Sequence, residues 1–478
     1  MADITIRNLT KNPIELINVQ RFEGEKVATG NTLSNITGAI SGFLNATEHS
    51  THQLVARDGS PREKKDVSFK VDPFKATKTN IRATDASGSE VVRLIFKTEN
   101  HKYETDVPSP SKKSAVMKKL DNGPHDLTVV YVPTGALLAV FSSAKLNAWM
   151  KELHNDWPLT VLSIPGTHNS PTCYTALPSV RCQSVGVPEQ LNNGVRFMDI
   201  RVSADPDSDD LALVHSAFPI SLTGTKYFRD MMEDVYSFLD KNKSETVILS
   251  LKREGTGKGS DADMCKALKN SYVNKNKDSW WVNTEIPTLG QARGKVVLMR
   301  RFATDDKKGY GIDAQHWPDN CEDGKVGKGH IRVQDFYEIT ESQNIDKKID
   351  YSRGQLERAA EQNYLLSGLA TGGNEKRGDD KKKDEGAKTA APPFFVNFLS
   401  ASNFFNASCW PERIAAKVNP AVVEYLCTRH GEDGKGPKKL KVGTAGTGIV
   451  VTDWVGANDD WDLVRCIVGM NARLQLKN

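Results

Sequence analysis

Residues Ser244–Lys252 have the sequence SETVILSLK, and this stretch is the best guide to the fold. Its centre is apolar without the alternation of a half-exposed strand, and it ends in a lysine. Uninterrupted apolar strands are typical of a parallel sheet that is buried on both faces. Comparable strands are predicted at Leu159–Ile164, Val195–Val202, Leu211–His215, Thr246–Leu251, Lys295–Met299, Ile331–Val333, Phe394–Phe398 and Gly448–Thr452.

Amphipathic segments separate these strands. Tyr227–Asn242, for example, repeats apolar residues at the spacing of a helix. About eight strand units in roughly 330 residues predict an α/β fold, a (β/α)8 TIM-like barrel of regular or irregular form over residues 145–478. Residues 371–392 are rich in lysine, aspartate and glycine, and this composition predicts a disordered insert.

The first 135 residues have a different pattern. Short alternating segments such as Ile14–Val19 and Leu127–Val132 are separated by turn residues such as those of Asp121–Pro124. Frequent short strands with turn signals predict a β-sandwich domain, whose role the sequence does not indicate.

The charge balance, the cysteine spacing and the lengths of the apolar runs limit the partners and cofactors to be expected. The net charge of +4 comes from 64 basic and 60 acidic residues, a balance that does not favour nucleic acid binding. The seven cysteines are scattered without a C-x-x-C pair, so no zinc site is predicted. The start lacks the apolar core of a signal peptide, and no run is long enough to span a membrane. We expect a cytoplasmic or peripheral membrane protein without a cofactor or a known protein partner, with secretion left open.

Polar residues interrupt the apolar strands at the same end each time. The ionisable residues there are His168, Asp199, Arg201, His215, Lys252, Arg301 and Asp453. In a β/α barrel the carboxyl ends of the strands converge on the catalytic face. Each residue alone is more typical of a structural role, but the repetition predicts an enzyme that uses acid–base or phosphoryl chemistry. Two imidazoles with a cationic clamp suit attack on a phosphodiester.

These motifs resemble those of the bacterial phosphatidylinositol-specific phospholipases C, the X-domain family. The resemblance covers most of residues 155–478, in the same order. The matching segments are Ser163–His168, Gly194–Arg201, Val214–His215, Ser244–Lys252, Trp317–Asn320, Val333–Tyr337, Val396–Phe398 and Val451–Trp454. The resemblance implies cleavage of phosphatidylinositol, at a membrane surface, into diacylglycerol and a cyclic inositol phosphate.

The resemblance also implies residue roles. His168 would be the general base supported by Asp453, His215 the general acid, and Arg201 the group that stabilises charge on the phosphate. Asp199 would belong to the hydrogen-bond network below the phosphate. The residues expected to hold the inositol are Lys252, Arg301, Asp335, Tyr337 and Trp317.

Two details bear on the mechanism. Animal-type relatives bind Ca²⁺ through carboxylates at the strand that here ends in Arg201, so we expect no metal requirement. Asn169 stands where the bacterial family carries an aspartate that pairs with the second histidine, and its presence predicts a weaker general acid and reduced turnover. Two alternatives stay open at this point, a weakly active phosphoinositide-binding scaffold and a metal-dependent glycerophosphodiesterase-like barrel.

Overall fold

The fold is described from a computed structural model of the protein and consists mainly of β-sheets. The structure describes residues 2–28, 52–84, 89–108, 114–364, 366 and 391–475. The chain divides into two compact units, Met1–Ala144 and Lys145–Asn478. The predicted insert at 371–392 lies outside the described residues except for its last two positions.

Two sheets make up the described part of the first unit. The strands are β1 (Asp3–Asn8), β2 (Ile14–Ala28), β3 (His52–Ala56), β4 (Glu63–Val71), β5 (Ala76–Arg82), β6 (Glu90–Thr98), β7 (His101–Val107), β8 (Ser114–Val116), β9 (Lys118–Lys119), β10 (Thr128–Val132) and β11 (Leu137–Phe141). One sheet has the order β5-β1-β11-β10-β8, and the other β3-β2-β6-β7-β9 with β4 paired to β2. Alternate residues of β6 are buried, as the sequence pattern predicts for a strand with one covered face. The strands predicted at Ile14–Val19 and Leu127–Val132 are confirmed, the first being much longer than predicted.

The second unit is built around a sheet of mostly parallel strands. They are β12 (Ile164–Thr167), β13 (Phe197–Asp205), β14 (Ser208–His215), β15 (Phe218–Pro219), β16 (Val247–Arg253), β17 (Trp280–Trp281), β18 (Val296–Arg301), β19 (Ile312–Asp313), β20 (Cys321–Val326), β21 (Ile331–Asp335), β22 (Phe394–Phe398) and β23 (Ile449–Thr452). The order is β17-β18-β16-β13-β12-β23-β22-β21-β20, with parallel pairing from β17 through β21. The predicted parallel sheet is therefore confirmed.

Burial on both faces explains the continuous apolar strands. In β13, Phe197 packs into one apolar cluster, while Met198 and Ile200 pack into another that also contains helix residues. Neighbouring residues of a strand point to opposite faces, so a strand covered on both sides needs apolar residues at every position.

Helices pack against the strands of the sheet. They are α1 (Val187–Asn192), α2 (Phe228–Lys241), α3 (Asp261–Ala267), α4 (Leu289–Ala292), α5 (Ile345–Ala360), α6 (Pro411–Thr428) and α7 (Asp462–Gly469). The predicted helix at Tyr227–Asn242 is confirmed as α2, and its buried face includes Met231, Val235 and Phe238. Within the described ranges, no helix is both long and apolar enough to cross a bilayer.

Two features depart from a regular eight-stranded barrel. The prediction that Leu211–His215 is a barrel strand is wrong, because β14 pairs antiparallel with β13 and forms a hairpin beside the sheet. The edge of β18 is covered by two short pieces, β17 at its start and β19 at its end. Among the described residues, no backbone ladder joins β19 to β20 or β21, so the barrel is irregular and open there.

Candidate active site

The polar groups at the carboxyl ends of the strands continue the inward-facing rows of the sheet. Phe197 faces the inner cluster, and Asp199 and Arg201 follow it at intervals of two along β13. The same spacing links Met299 to Arg301 and Val451 to Asp453. Because residues two apart share a face of a strand, these charged side chains lie above the apolar interior at one mouth.

His168 follows β12 directly and contacts two partners. Its Nδ1 lies 2.8 Å from Oδ1 of Asp453, and its Nε2 lies 3.0 Å from Nη2 of Arg201. A guanidinium can only donate, so Nε2 is the accepting nitrogen and the ring proton is on Nδ1, directed at Asp453. The lone pair of His168 Nε2 therefore points into the site, as a general base requires.

His215 approaches the same point from the β13–β14 hairpin. Its ring centroid lies 5.6 Å from that of His168, with the two rings nearly perpendicular. Nδ1 of His215 donates to the carbonyl of Val180 at 2.8 Å, which leaves its Nε2 directed elsewhere. Burial, followed by the positive charge of Arg201 and the proximity of His168, lowers the pKa of His215 to about 3. The imidazole is consequently neutral near pH 7 without substrate.

Arg201 sits between two carboxylates. Its Nη2 lies 3.2 Å from Asp199 Oδ2, and its Nη1 lies 3.2 Å from Glu254 Oε1. Burial acts to raise the pKa of the inaccessible Asp199, but Arg201 and Arg301 outweigh it and hold that pKa below its ordinary value. Burial acts to lower the pKa of Arg201, and the two carboxylates reverse this and raise it. The guanidinium is thus permanently charged and fixed in position.

Glu254 is a site residue to which the sequence assigned no role. Its carboxylate contacts Arg201, accepts from Lys252 Nζ at 2.6 Å, and accepts from the backbone N–H of Ser216 at 3.0 Å. Burial acts to raise its pKa, but Arg201 and Lys252 prevail and lower it to about 2. Glu254 lies two residues after Lys252 at the end of β16, and residues two apart share a face of a strand. This spacing could have identified Glu254 as a site residue from the sequence.

A second group of predicted residues extends the site to one side. The Arg301 guanidinium lies 4.0 Å from the centroid of the Trp317 ring and 3.3 Å from Asp199. Trp317 Nε1 donates to Asp335 at 2.9 Å. Tyr337 is half-exposed at the rim and donates its hydroxyl to Asp319 at 2.7 Å, and this bond raises the pKa of Tyr337. Four of the five residues expected to hold inositol, Lys252, Arg301, Trp317 and Asp335, thus lie on contacts that begin at Glu254 or Asp199, whereas Tyr337 is bound separately to Asp319.

The side chain of Asn169 does not pair with His215, the contact that the family's aspartate makes at this position. Its side chain is fully buried, and neither amide atom has a hydrogen-bond partner among the residues that the structure describes. Its backbone N–H donates to Asp199 Oδ2 at 3.2 Å. The amide does not hydrogen-bond to His215, which is held by a backbone carbonyl instead.

Backbone strain marks three of the strand ends. The residues directly after His168, His215 and Asp453 have positive φ angles, which are 40° at Asn169, 54° at Ser216 and 57° at Trp454. This left-handed region is uncommon for residues with a side chain and concentrates at functional sites. The chain turns sharply there, so each ionisable side chain is held at the mouth.

Buried polar groups below the mouth support the geometry and were missed in the sequence. Gln183 Nε2 donates to the carbonyls of His168 at 2.7 Å and of Thr452 at 2.9 Å. Lys348 is fully buried and donates to Gln334 and to the carbonyl of Phe336. Burial lowers the pKa of Lys348 to about 7. Their sequence neighbourhoods carry no motif, so only the fold shows that they lie near the site.

Comparisons with known proteins agree with this arrangement. Residues 155–302 match the model of the phosphatidylinositol-specific phospholipase C X domain. A 1-phosphatidylinositol phosphodiesterase of Staphylococcus aureus strain Newman is 25% identical over 326 residues, covering 64% of this chain and 88% of that protein. The Listeria monocytogenes 1-phosphatidylinositol phosphodiesterase is 31% identical over 170 residues, which cover 33% of this chain and 50% of that protein. A solved mutant of the S. aureus phosphatidylinositol-specific phospholipase C has a TM-score of 0.52 at 20% identity, over 69% of this chain and 97% of that one.

The α/β fold with paired imidazoles and a guanidinium at one mouth defines an enzyme of the phosphodiesterase class. The expectation drawn from the motifs is confirmed. Residues 155–302 match the X domain of the phosphatidylinositol-specific phospholipases C, and the chain is similar to a bacterial 1-phosphatidylinositol phosphodiesterase over 88% of that protein's length.

Proposed function

We propose that this protein cleaves phosphatidylinositol into diacylglycerol and a cyclic inositol phosphate without a metal ion. The observation that carries the proposal is the pair of imidazoles, His168 and His215, whose ring centroids are 5.6 Å apart beside the Arg201 guanidinium. Both rings are near enough to reach oxygens bonded to one phosphorus atom, since a hydrogen bond adds about 2.7–3.2 Å on each side.

The proposed reaction uses the two rings in opposite senses. His168 Nε2 removes the proton from the inositol 2-hydroxyl, whose oxygen attacks the phosphorus and closes the cyclic phosphate. The bond between phosphorus and the glycerol oxygen breaks, and the imidazolium form of His215, protonated on both nitrogens, gives its Nε2 proton to that oxygen. Asp453 stabilises the imidazolium that forms on His168. Arg201 stabilises the charge that accumulates on the phosphate oxygens in the transition state.

Arg201 also explains why no metal ion is proposed. Ca²⁺ prefers six to eight oxygen ligands. The two carboxylates next to Arg201, which are Asp199 and Glu254, are already paired with the cations Arg201, Arg301 and Lys252. A divalent ion would have to displace these cations, so the guanidinium takes the electrostatic role that a metal would otherwise have.

Activity on lipid vesicles with and without a chelator tests the proposal. The expected result is release of a cyclic inositol phosphate from phosphatidylinositol at a rate that a chelator does not change, with His168→Ala as the inactive reference. Loss of activity on chelation would contradict the metal-independent mechanism and favour the glycerophosphodiesterase-like alternative. Vesicle binding without turnover would favour the scaffold alternative.

We further infer peripheral contact with the membrane through an aromatic rim, formed by Phe218, Phe404 and Phe405. The rings of Phe218 and Phe404 stack at 5.9 Å with a 6° angle between them, and Phe405 packs edge-on against Phe404 at 5.4 Å. Phe405 is 93% exposed. Phe218 is paired with His215 in the hairpin, so the rim lies beside the site.

Exposed aromatic rings of this kind favour insertion at a membrane–water interface. The S. aureus phospholipase C of similar fold is itself described as binding membranes.

Replacing both Phe404 and Phe405 by serine is expected to weaken vesicle binding by tenfold or more, because each buried ring contributes roughly 1.5–3 kcal/mol. Sedimentation with phosphatidylinositol vesicles measures this change. The rate on a water-soluble inositol phosphodiester should stay near that of the wild type. The control Val116→Ser removes an exposed apolar side chain from the first unit and should leave binding unchanged. Equal vesicle binding by the double variant and the wild type would refute the inference.

For the first unit, we infer a β-sandwich that packs its two sheets around one core. Ile6 and Val140 from one sheet and Leu94 and Phe96 from the other belong to the same cluster of buried residues. A shared core between two antiparallel-rich sheets is the defining property of a sandwich.

A further inference from the structure

A cysteine lies against the catalytic histidines. His168, Cys182 and His215 each offer a metal-ligating atom, and these three atoms all lie within 4.8 Å of one another. Cys182 is fully buried in the irregular segment between β12 and α1, and its Sγ lies 3.6 Å from His215 Nδ1. The scattered cysteine spacing predicted no zinc site, and the fold has created a candidate for one.

The geometry is close to that of a tetrahedral metal site. With zinc–sulfur and zinc–nitrogen bonds of about 2.3 and 2.0 Å, the ligand atoms would be about 3.3–3.6 Å apart. The present spacing of up to 4.8 Å closes to that range with side-chain movements of about 1 Å. His168 Nε2 accepts from Arg201 and so has its lone pair available to a cation that displaces this donor.

The chemistry of the three ligands selects one class of ion. Thiolate and imidazole prefer zinc-like borderline-soft divalent cations, whereas Ca²⁺ and Mg²⁺ prefer oxygen ligands. We propose that a zinc-like divalent cation binds between His168, Cys182 and His215 and reversibly blocks the active site. On binding, the Cys182 thiol releases its proton to solvent, the one ring proton of His215 stays on or moves to the nitrogen that does not contact the cation, and a water molecule completes the coordination.

Blocking follows from the identity of the ligands. The cation occupies the lone pair of His168 that would accept the substrate proton, and it replaces the hydrogen bond between His168 and Arg201. Two of its three ligands are therefore the proposed base and acid. The inhibition rests on the proposed function, but binding of the metal does not.

Cobalt(II) absorption tests the binding directly. The whole protein, titrated with Co²⁺, is expected to show a thiolate-to-cobalt charge-transfer band in the near ultraviolet, which Cys182→Ala and Cys182→Ser should lose. The matched control is Cys466→Ala, because Cys466 is also buried and its sulfur lies 3.8 Å from that of Cys427, so these two thiols could bind cobalt themselves. That variant should keep the band. Absence of the band in the wild type, or its loss only in Cys466→Ala, would overturn the proposal.

Inhibition is then measured on phosphatidylinositol vesicles with buffered free Zn²⁺, each variant being compared with its own rate without zinc. The zinc concentration for half-inhibition is expected to rise by at least about tenfold in the Cys182 variants and to stay unchanged in Cys466→Ala. Added chelator should restore the wild-type rate. Equal zinc sensitivity of Cys182→Ser and the wild type would refute the inhibitory site. A protein with the cobalt band but without any turnover would contradict the proposed function and leave the metal site supported.

Discussion

Arg201→Ala is expected to lower the turnover of phosphatidylinositol by about 10³-fold, because the guanidinium supplies the positive charge next to the reacting phosphate. Its removal also leaves Asp199 and Glu254 facing an anionic substrate with fewer opposing charges. Arg201→Lys keeps one charge but loses the planar fork that contacts both carboxylates and His168. We expect a loss of about 10²-fold for that variant. Initial rates of cyclic inositol phosphate release give both values.

The design of this experiment separates catalysis from folding. Arg253, which follows Lys252 in β16, pairs with Asp261 and makes no contact with the two histidines, so Arg253→Ala removes a nearby charge without touching the site. We expect its rate to stay within a few-fold of the wild type. The melting temperature of each variant reports any loss of stability. A folded Arg201→Ala protein with near-wild-type turnover would refute the electrostatic role of Arg201.

Most of the site could be identified from the sequence, because the carboxyl ends of parallel barrel strands meet at one face. The strands and their inward-facing residues can be recognised from the spacing of apolar residues alone. Asp199 and Arg201 share the inward face of β13 with Phe197, and this relation follows from a spacing of two. His215 was predicted at the end of a parallel barrel strand, but a hairpin brings it to the site. Its strand runs antiparallel to β13, with Leu213 opposite Val202, so the hairpin returns His215 to the level of Arg201.

The parts of the site that the sequence did not show depend on tertiary contacts of loops. Cys182 reaches His215 because its backbone N–H is tied to the carbonyl of Thr172 at 3.2 Å, a contact between two irregular segments. Val180, whose carbonyl orients His215, lies in the same loop. No periodicity governs such segments, so neither position could be assigned before the fold was known.

Asn169 has a left-handed backbone and a side-chain amide without a hydrogen-bond partner among the described residues. With φ at 40°, it occupies a region that asparagine tolerates better than most residues, and its N–H holds Asp199. These backbone functions do not need the amide. The buried amide atoms are without hydrogen-bond partners in the described part of the protein, a costly arrangement that a different side chain could improve.

Asn169→Asp is expected to raise turnover near pH 7 by about 10–10³-fold. The pKa of His215 is about 3 in the folded protein, so the protonated form that a general acid requires is scarce at neutral pH. A carboxylate near the ring favours the imidazolium and raises its pKa by about 1–3 units, with a matching increase in the protonated fraction. The alkaline limb of the pH–rate profile, which reports loss of the proton from the general acid, should move to higher pH, and a titration of the His215 ring by nuclear magnetic resonance should show the same shift.

Asn169→Gly is the matched control for this prediction, because glycine adopts the left-handed backbone freely and removes only the amide. Its rate should remain near that of the wild type if Asn169 acts through its backbone alone. An unchanged or lower rate in Asn169→Asp, with an unaltered pKa of His215, would show that a carboxylate at this position does not reach the general acid. The backbone carbonyl of Val180 would then be the group that sets the orientation and the acidity of His215.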